Sequence, residues 1–81
     1  MHTKEHPEDL KASVSRLERV AKTIQSELAQ ELGYRSRMTE PAEIAAANKR
    51  IEALDKNLIR TQEALTVARD RLARVQAGEA A

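Results

Sequence analysis

His2 and His6 stand four residues apart with Glu5 between them, a spacing that on a helix can bring two imidazoles to one metal ion. The metalloprotease form of that spacing needs a glutamate directly after the first histidine to act as general base. Thr3 holds that place, and Pro7 marks the segment as preceding a helix. The expectation is therefore a frayed terminus with no metal. Two other groups of residues carry chemistry. Arg35 and Arg37 flank Ser36 beside Tyr34, the sole aromatic residue. Such a loop suits phosphate contact and stacking on a base, although two arginines bring only about two phosphate contacts' worth of affinity. The plainer expectation is a solvated turn with Tyr34 lying over the helix ends. Towards the C-terminus Arg60, Arg69, Arg71 and Arg74 outnumber Glu63 and Asp70. They complement the dipole at a helix end, and they could also rim an apolar contact site and favour an acidic partner.

Catalysis finds no support among the remaining residues. There is no pair of acids in an apolar setting, no serine–histidine or lysine nucleophile arrangement and no glycine-rich phosphate loop. With no cysteine, thiolate metal sites and disulfides are excluded as well. Hydrolysis or group transfer needs a concave, partly desolvated pocket, which thin helical seams do not supply. The chain reads as a non-enzyme without a cofactor.

Composition says which elements hold these residues. The chain has 81 residues, 33% of them charged, with two glycines and two prolines. Long helices have this make-up, and without Phe or Trp any core is built from Leu, Ile, Val and Ala. A chain this short buries only about 60% of its unfolded surface, so further burial by association is expected. The net charge of +1 exerts no general pull towards nucleic acid or membrane. No membrane span or signal segment is visible, and cytoplasmic residence is the default expectation.

Periodicity places the helices. Pro7, followed by Glu8 and Asp9, predicts a helix start. Leu10, Val14, Leu17, Ala21, Ile24 and Leu28 then step by four and three to Gly33, which is expected to close the helix in a left-handed conformation. Residues 33–39 form the turn, and Glu40-Pro41 with Glu43 opens the second helix. There Ile44, Ala47, Ile51, Leu54, Leu58, Thr61, Leu65, Ala68, Leu72 and Val75 make ten seam positions at alternating spacings of three and four. The prediction is an all-α antiparallel hairpin of coiled-coil type, with helices at about 7–32 and 40–77 and frayed ends at 1–6 and 78–81. Dimerisation or a partner completes the bundle.

Antiparallel packing sets facing residue numbers to a constant sum. A sum of 75 pairs Leu10 with Leu65, Ala21 with Leu54 and Leu28 with Ala47, whereas 68 would leave a thin layer of Ala21 against Ala47. Under 75, Ala68 faces Pro7, Leu72 faces Thr3 and Val75 faces nothing, so about 18 Å of seam stays bare at 1.5 Å per residue. Glu31 points out at the bundle end, and the Thr61 hydroxyl bonds a carbonyl of the preceding turn. A weaker apolar row of Ala45, Ala53, Ile59 and Val67, with Val20 and Leu32 on the first helix, is also left over.

The functional expectation is a protein–protein interaction module: an adaptor, a subunit or a small inhibitor of a larger protein. Its contact residues would be Ile59, Val67, Ala68, Leu72 and Val75, rimmed by Arg69, Arg71 and Arg74, and its partner a second copy or another protein. The alternative is a hairpin dimer binding RNA or DNA through Tyr34, Arg35, Arg37 and the helix faces.

Overall fold

The computed structural model describes residues 6–80, and side chains through residue 78. Two helices make up the fold: α1, Pro7–Arg35, and α2, Pro41–Ala80, packed against each other along their length as an all-α hairpin. Both begin with proline at the first helical position, where no N–H is missed. The His6 carbonyl accepts the amides of Asp9 and Leu10 at 3.0 and 3.1 Å, and the Glu40 carbonyl accepts that of Ile44 at 3.0 Å. Acids in the first turns, Glu8 and Asp9 in α1 and Glu43 in α2, suit the helix dipole.

The end of α1 differs from the expectation built on Gly33. No described residue has positive φ, and the helix runs through Gly33 to Arg35, leaving a turn of residues 36–40. Its last four carbonyls would otherwise lack partners. Ser36 N–H donates to Leu32 and Ser36 Oγ to Gly33, at 3.1 and 2.6 Å, while the amides of Arg37 and Met38 donate to Tyr34 and Arg35, both at 3.1 Å. Ser36 thus does the work assigned to a left-handed glycine. At the other end, α2 continues through Gly78 to Ala80, past the expected limit of 77.

A prediction follows at Gly33. A Cβ built there meets nothing within 4 Å, and φ is ordinary. Gly33→Ala should raise stability by about 0.5–1 kcal/mol by removing backbone freedom from the unfolded chain. Urea unfolding would show a higher midpoint at constant slope. A fall in the midpoint would instead mean that Gly33 is held in a left-handed conformation.

The register is the larger correction. Side-chain bonds that cross the hairpin include Arg50 Nε to Glu31 at 3.0 Å, Arg35 to Asn48 at 2.9 Å and Arg69 to Glu18 at 2.9 Å. Under a sum of 75, Glu18 and Arg69 would be twelve residues out of step, about 18 Å, beyond the reach of their side chains. The bonds to Glu31 and Arg35 place facing residues at sums of 81 and 83. The seam layer that satisfies all three has a sum of 82, one heptad beyond the expected one. Leu10 then falls opposite Leu72, Val14 opposite Ala68, Leu17 opposite Leu65, Ala21 opposite Thr61, Ile24 opposite Leu58 and Leu28 opposite Leu54.

Burial follows this register to both ends. Pro7 and Val75 are half-buried, as are Met38 and Ile44, and the positions between continue the pattern through Glu31 and Arg35. Two more layers fit than in the shorter register, Met38 with Ile44 at one end and Pro7 with Val75 at the other, all four half-buried. The buried residues among those described are Leu10, Ala21, Ala47 and Leu65. Glu31 does not point away from the bundle; its carboxylate lies along the seam with 21% of the side chain exposed, neutralised by Arg50. The Thr61 hydroxyl donates to the Asn57 carbonyl at 2.8 Å, which lets a polar residue sit opposite Ala21.

Candidate interaction face

Helix spacing sorts the remaining side chains onto two broad faces. The hairpin measures 60 × 22 × 14 Å, so it is a slab two helices wide and one helix thick. Residues flanking the seam on one side of both helices come together in a groove of about 370 Å³ lined by Glu27, Gln30, Glu31, Arg50, Ala53 and Leu54. Whole heptads extend that face. Val20 lies seven residues before Glu27, Ala64 fourteen after Arg50 and Val67 fourteen after Ala53, each on the same side of its helix. The opposite face carries Leu32 and Ile59 amid Lys22, Glu52 and Asp55, and the Glu18–Arg69 pair crosses its seam. The row expected to hold Ala45, Ala53, Ile59 and Val67 together is therefore split. Ala53 and Val67 share the groove face, and Ala45 and Ile59 lie on the other flank.

The structure disperses the contact site expected from the sequence. Ala68, Leu72 and Val75 are half-buried, opposite Val14, Leu10 and Pro7, and so are not a bare end. The reason for expecting them bare was the register, and one heptad of slip covers them. Their arginine rim is already engaged. Arg69 pairs with Glu18 at 2.9 Å, Arg74 with Asp70 at 3.2 Å, and Arg71 also has a partner. Ile59 and Val67 remain exposed, on opposite flanks.

The turn keeps part of its expected chemistry. Tyr34 is exposed beside Arg37 in a shallow hollow of about 220 Å³ with Gln30 and Gly33. Arg35 is half-buried and donates to Asn48. One guanidinium, not two, is left facing solvent next to the ring. His6 sits at the start of α1 with its carbonyl in the cap, while His2, Thr3 and Glu5 lie outside the described residues. Among the described residues no three His, Cys, Asp or Glu side chains cluster as metal ligands, and no helix is long and apolar enough to cross a membrane.

The groove face was not legible beforehand. Its signal exists in the sequence as g and c positions of the heptads, but those positions form a face only once the hand and register of the hairpin are known. Chemically, the groove offers an alkyl floor of Ala53 and Leu54 and a rim of charges and amides. Compared with protein-family models, curated proteins and solved structures, the chain matches none.

Proposed function

We propose that this chain is a non-enzymatic protein–protein interaction module, an adaptor, subunit or small inhibitor whose broad face packs on another protein surface. The observation that carries this reading is the thickness of the molecule. Domains are built from at least two packed layers of secondary structure, and at 14 Å this one has a single layer. Its accessible surface of 6345 Å² compares with about 4,900 Å² for a compact monomer of 9.1 kDa. The radius of gyration of 18.1 Å compares with about 12 Å for a compact chain of this length. Val20, Leu32, Ile59 and Val67 stay exposed because no second layer covers them.

The test uses the chain as bait in extract of its source cells, beside a variant with glutamate at Val20, Leu32, Ile59 and Val67. The expected result is a raised solution mass or a co-purifying protein, either one lost in the variant. A chain that is monomeric and retains no protein above the variant background would overturn the reading. Retention of nucleic acid alone, released by salt, would move the function to phosphate binding.

A further inference from the structure

We infer that the groove face receives an acidic amphipathic helix of another protein, laid along the stretch between Asp9 and Glu27. This rests on the interaction reading above and names the chemistry of the partner.

The heptad positions that build the groove repeat along both helices, and what they carry is mainly basic. Arg16 stands fourteen residues before Gln30, Arg60 seven after Ala53, and Arg71 and Arg74 twenty-one after Arg50 and Ala53. Arg37 joins them beside Gln30 and Tyr34. The described lysines, Lys11, Lys22, Lys49 and Lys56, fall at heptad positions on other sides of the helices. Arginine is enriched and lysine depleted where protein surfaces meet, because a guanidinium is weakly hydrated and grips a carboxylate with two N–H groups.

The uncompensated part of this charge is local. Arg50 is neutralised by Glu31 and Arg74 by Asp70, and Arg71 has a partner. Arg16 and Arg60 are exposed and form no ion pair with a described residue. With facing residues at a sum of 82, Arg60 lies level with residue 22 of α1, about 9 Å along the axis from Arg16. They stand on opposite margins of the face, one on each helix. Val20 and Ala64 lie between the margins, with Val67 on the margin of α2, and both valines are open to solvent. No acid of this face falls between Asp9 and Glu27, a distance of about 27 Å at 1.5 Å per residue.

A strip of small apolar residues with a cation on either margin matches a helix that has a narrow apolar stripe and acids on both flanks. About 27 Å holds five turns of such a helix, which supplies the layer the hairpin lacks. A nucleic-acid strand fits less well. Its phosphates gain nothing from Val20 and Val67, and the sole ring for stacking, Tyr34, lies about 18 Å beyond the level of Arg60.

Fluorescence anisotropy with the full chain tests this. The probe is a labelled helical peptide of about 21 residues with leucine and alanine at a and d and glutamate at e and g, beside the same peptide with lysine in place of glutamate. The chain should bind the glutamate peptide and not the lysine peptide. Combining Arg16→Glu with Arg60→Glu should weaken the glutamate peptide at least about tenfold and turn the preference to the lysine peptide. Lys11→Glu with Lys22→Glu, an equal change of net charge on the opposite face, should leave the preference as it was. Far-UV circular dichroism checks that each variant keeps its helix. A wild-type chain that does not bind the glutamate peptide, or that binds a mixed-sequence oligonucleotide or phosphatidylserine vesicles more tightly, overturns the inference whether or not the variants fold. So does a preference that survives the arginine changes or is lost equally with the lysine changes. In either case a protein retained from extract by the wild type and by the arginine variant alike leaves the interaction reading standing on another surface; if none is retained, both fall.

Discussion

Leu65→Asp should abolish the helical fold, with far-UV circular dichroism reduced to that of a disordered chain. Leu65 is 7% exposed and lies in the middle of the seam opposite Leu17. A chain of 81 residues has a total stability of roughly 4–12 kcal/mol. Deleting a buried leucine to alanine costs about 2–5 kcal/mol, as transfer and cavity terms add. A carboxylate at that site has no basic neighbour in the seam, and its desolvation adds several kcal/mol more. Leu65→Ala is the graded form of the experiment and should leave a folded hairpin whose melting point falls by about 4–8 °C per kcal/mol lost. Ile59→Asp, at an exposed position six residues earlier on the same helix, should change little. Equal effects at both positions would mean that the seam does not lie where Leu65 places it.

The second result concerns register. Because the chain has no cysteine, pairs can be introduced into a clean background. Ala21→Cys with Thr61→Cys should oxidise to an intramolecular disulfide, since these two small residues face each other where the helices can approach closely. Disulfides need Cα atoms about 4.4–6.8 Å apart. Ala21→Cys with Leu54→Cys should not close, because in the observed register Leu54 is one heptad, about 10.5 Å, from the layer of Ala21. The bond would close a loop of about 40 residues and add about 4 kcal/mol on the chain-entropy account, read as a raised denaturant midpoint that reverts on reduction. Cross-linking of the Leu54 pair in place of the Thr61 pair would return the hairpin to the shorter register and expose Leu72 and Val75 again.

These two experiments mark where sequence reasoning succeeds and where it stops. Leu65 is recognisable as a seam residue from spacing alone, because residues three and four apart share one side of a helix whatever it packs on. Gly33 shows the limit of a local signal. Glycine at the end of a periodic run commonly closes a helix, but Ser36 satisfies the same carbonyls with its amide and hydroxyl, and the glycine stays helical. Glu31 and Arg35 are a different case. The spacing predicts Glu31 pointing out at the bundle end and Arg35 in a solvated turn, yet the apolar stripe continues through their alkyl stems to Met38, with Arg50 and Asn48 taking the polar groups.

By itself the sequence determined two amphipathic helices, their starts near Pro7 and at Glu40 or Pro41, and the antiparallel hairpin that a short turn enforces. Those follow from local geometry and from the 3.5-residue period. Only the tertiary structure decided which heptad of α2 meets which heptad of α1. A seven-residue pattern slid by seven reproduces itself, so hydrophobicity alone is nearly degenerate between registers. The choice falls to particular side chains: Glu18 reaching Arg69 and Glu31 reaching Arg50. With it go the covering of Leu72 and Val75 at one end and the gathering of Val20, Ala53, Ala64 and Val67 on one open face.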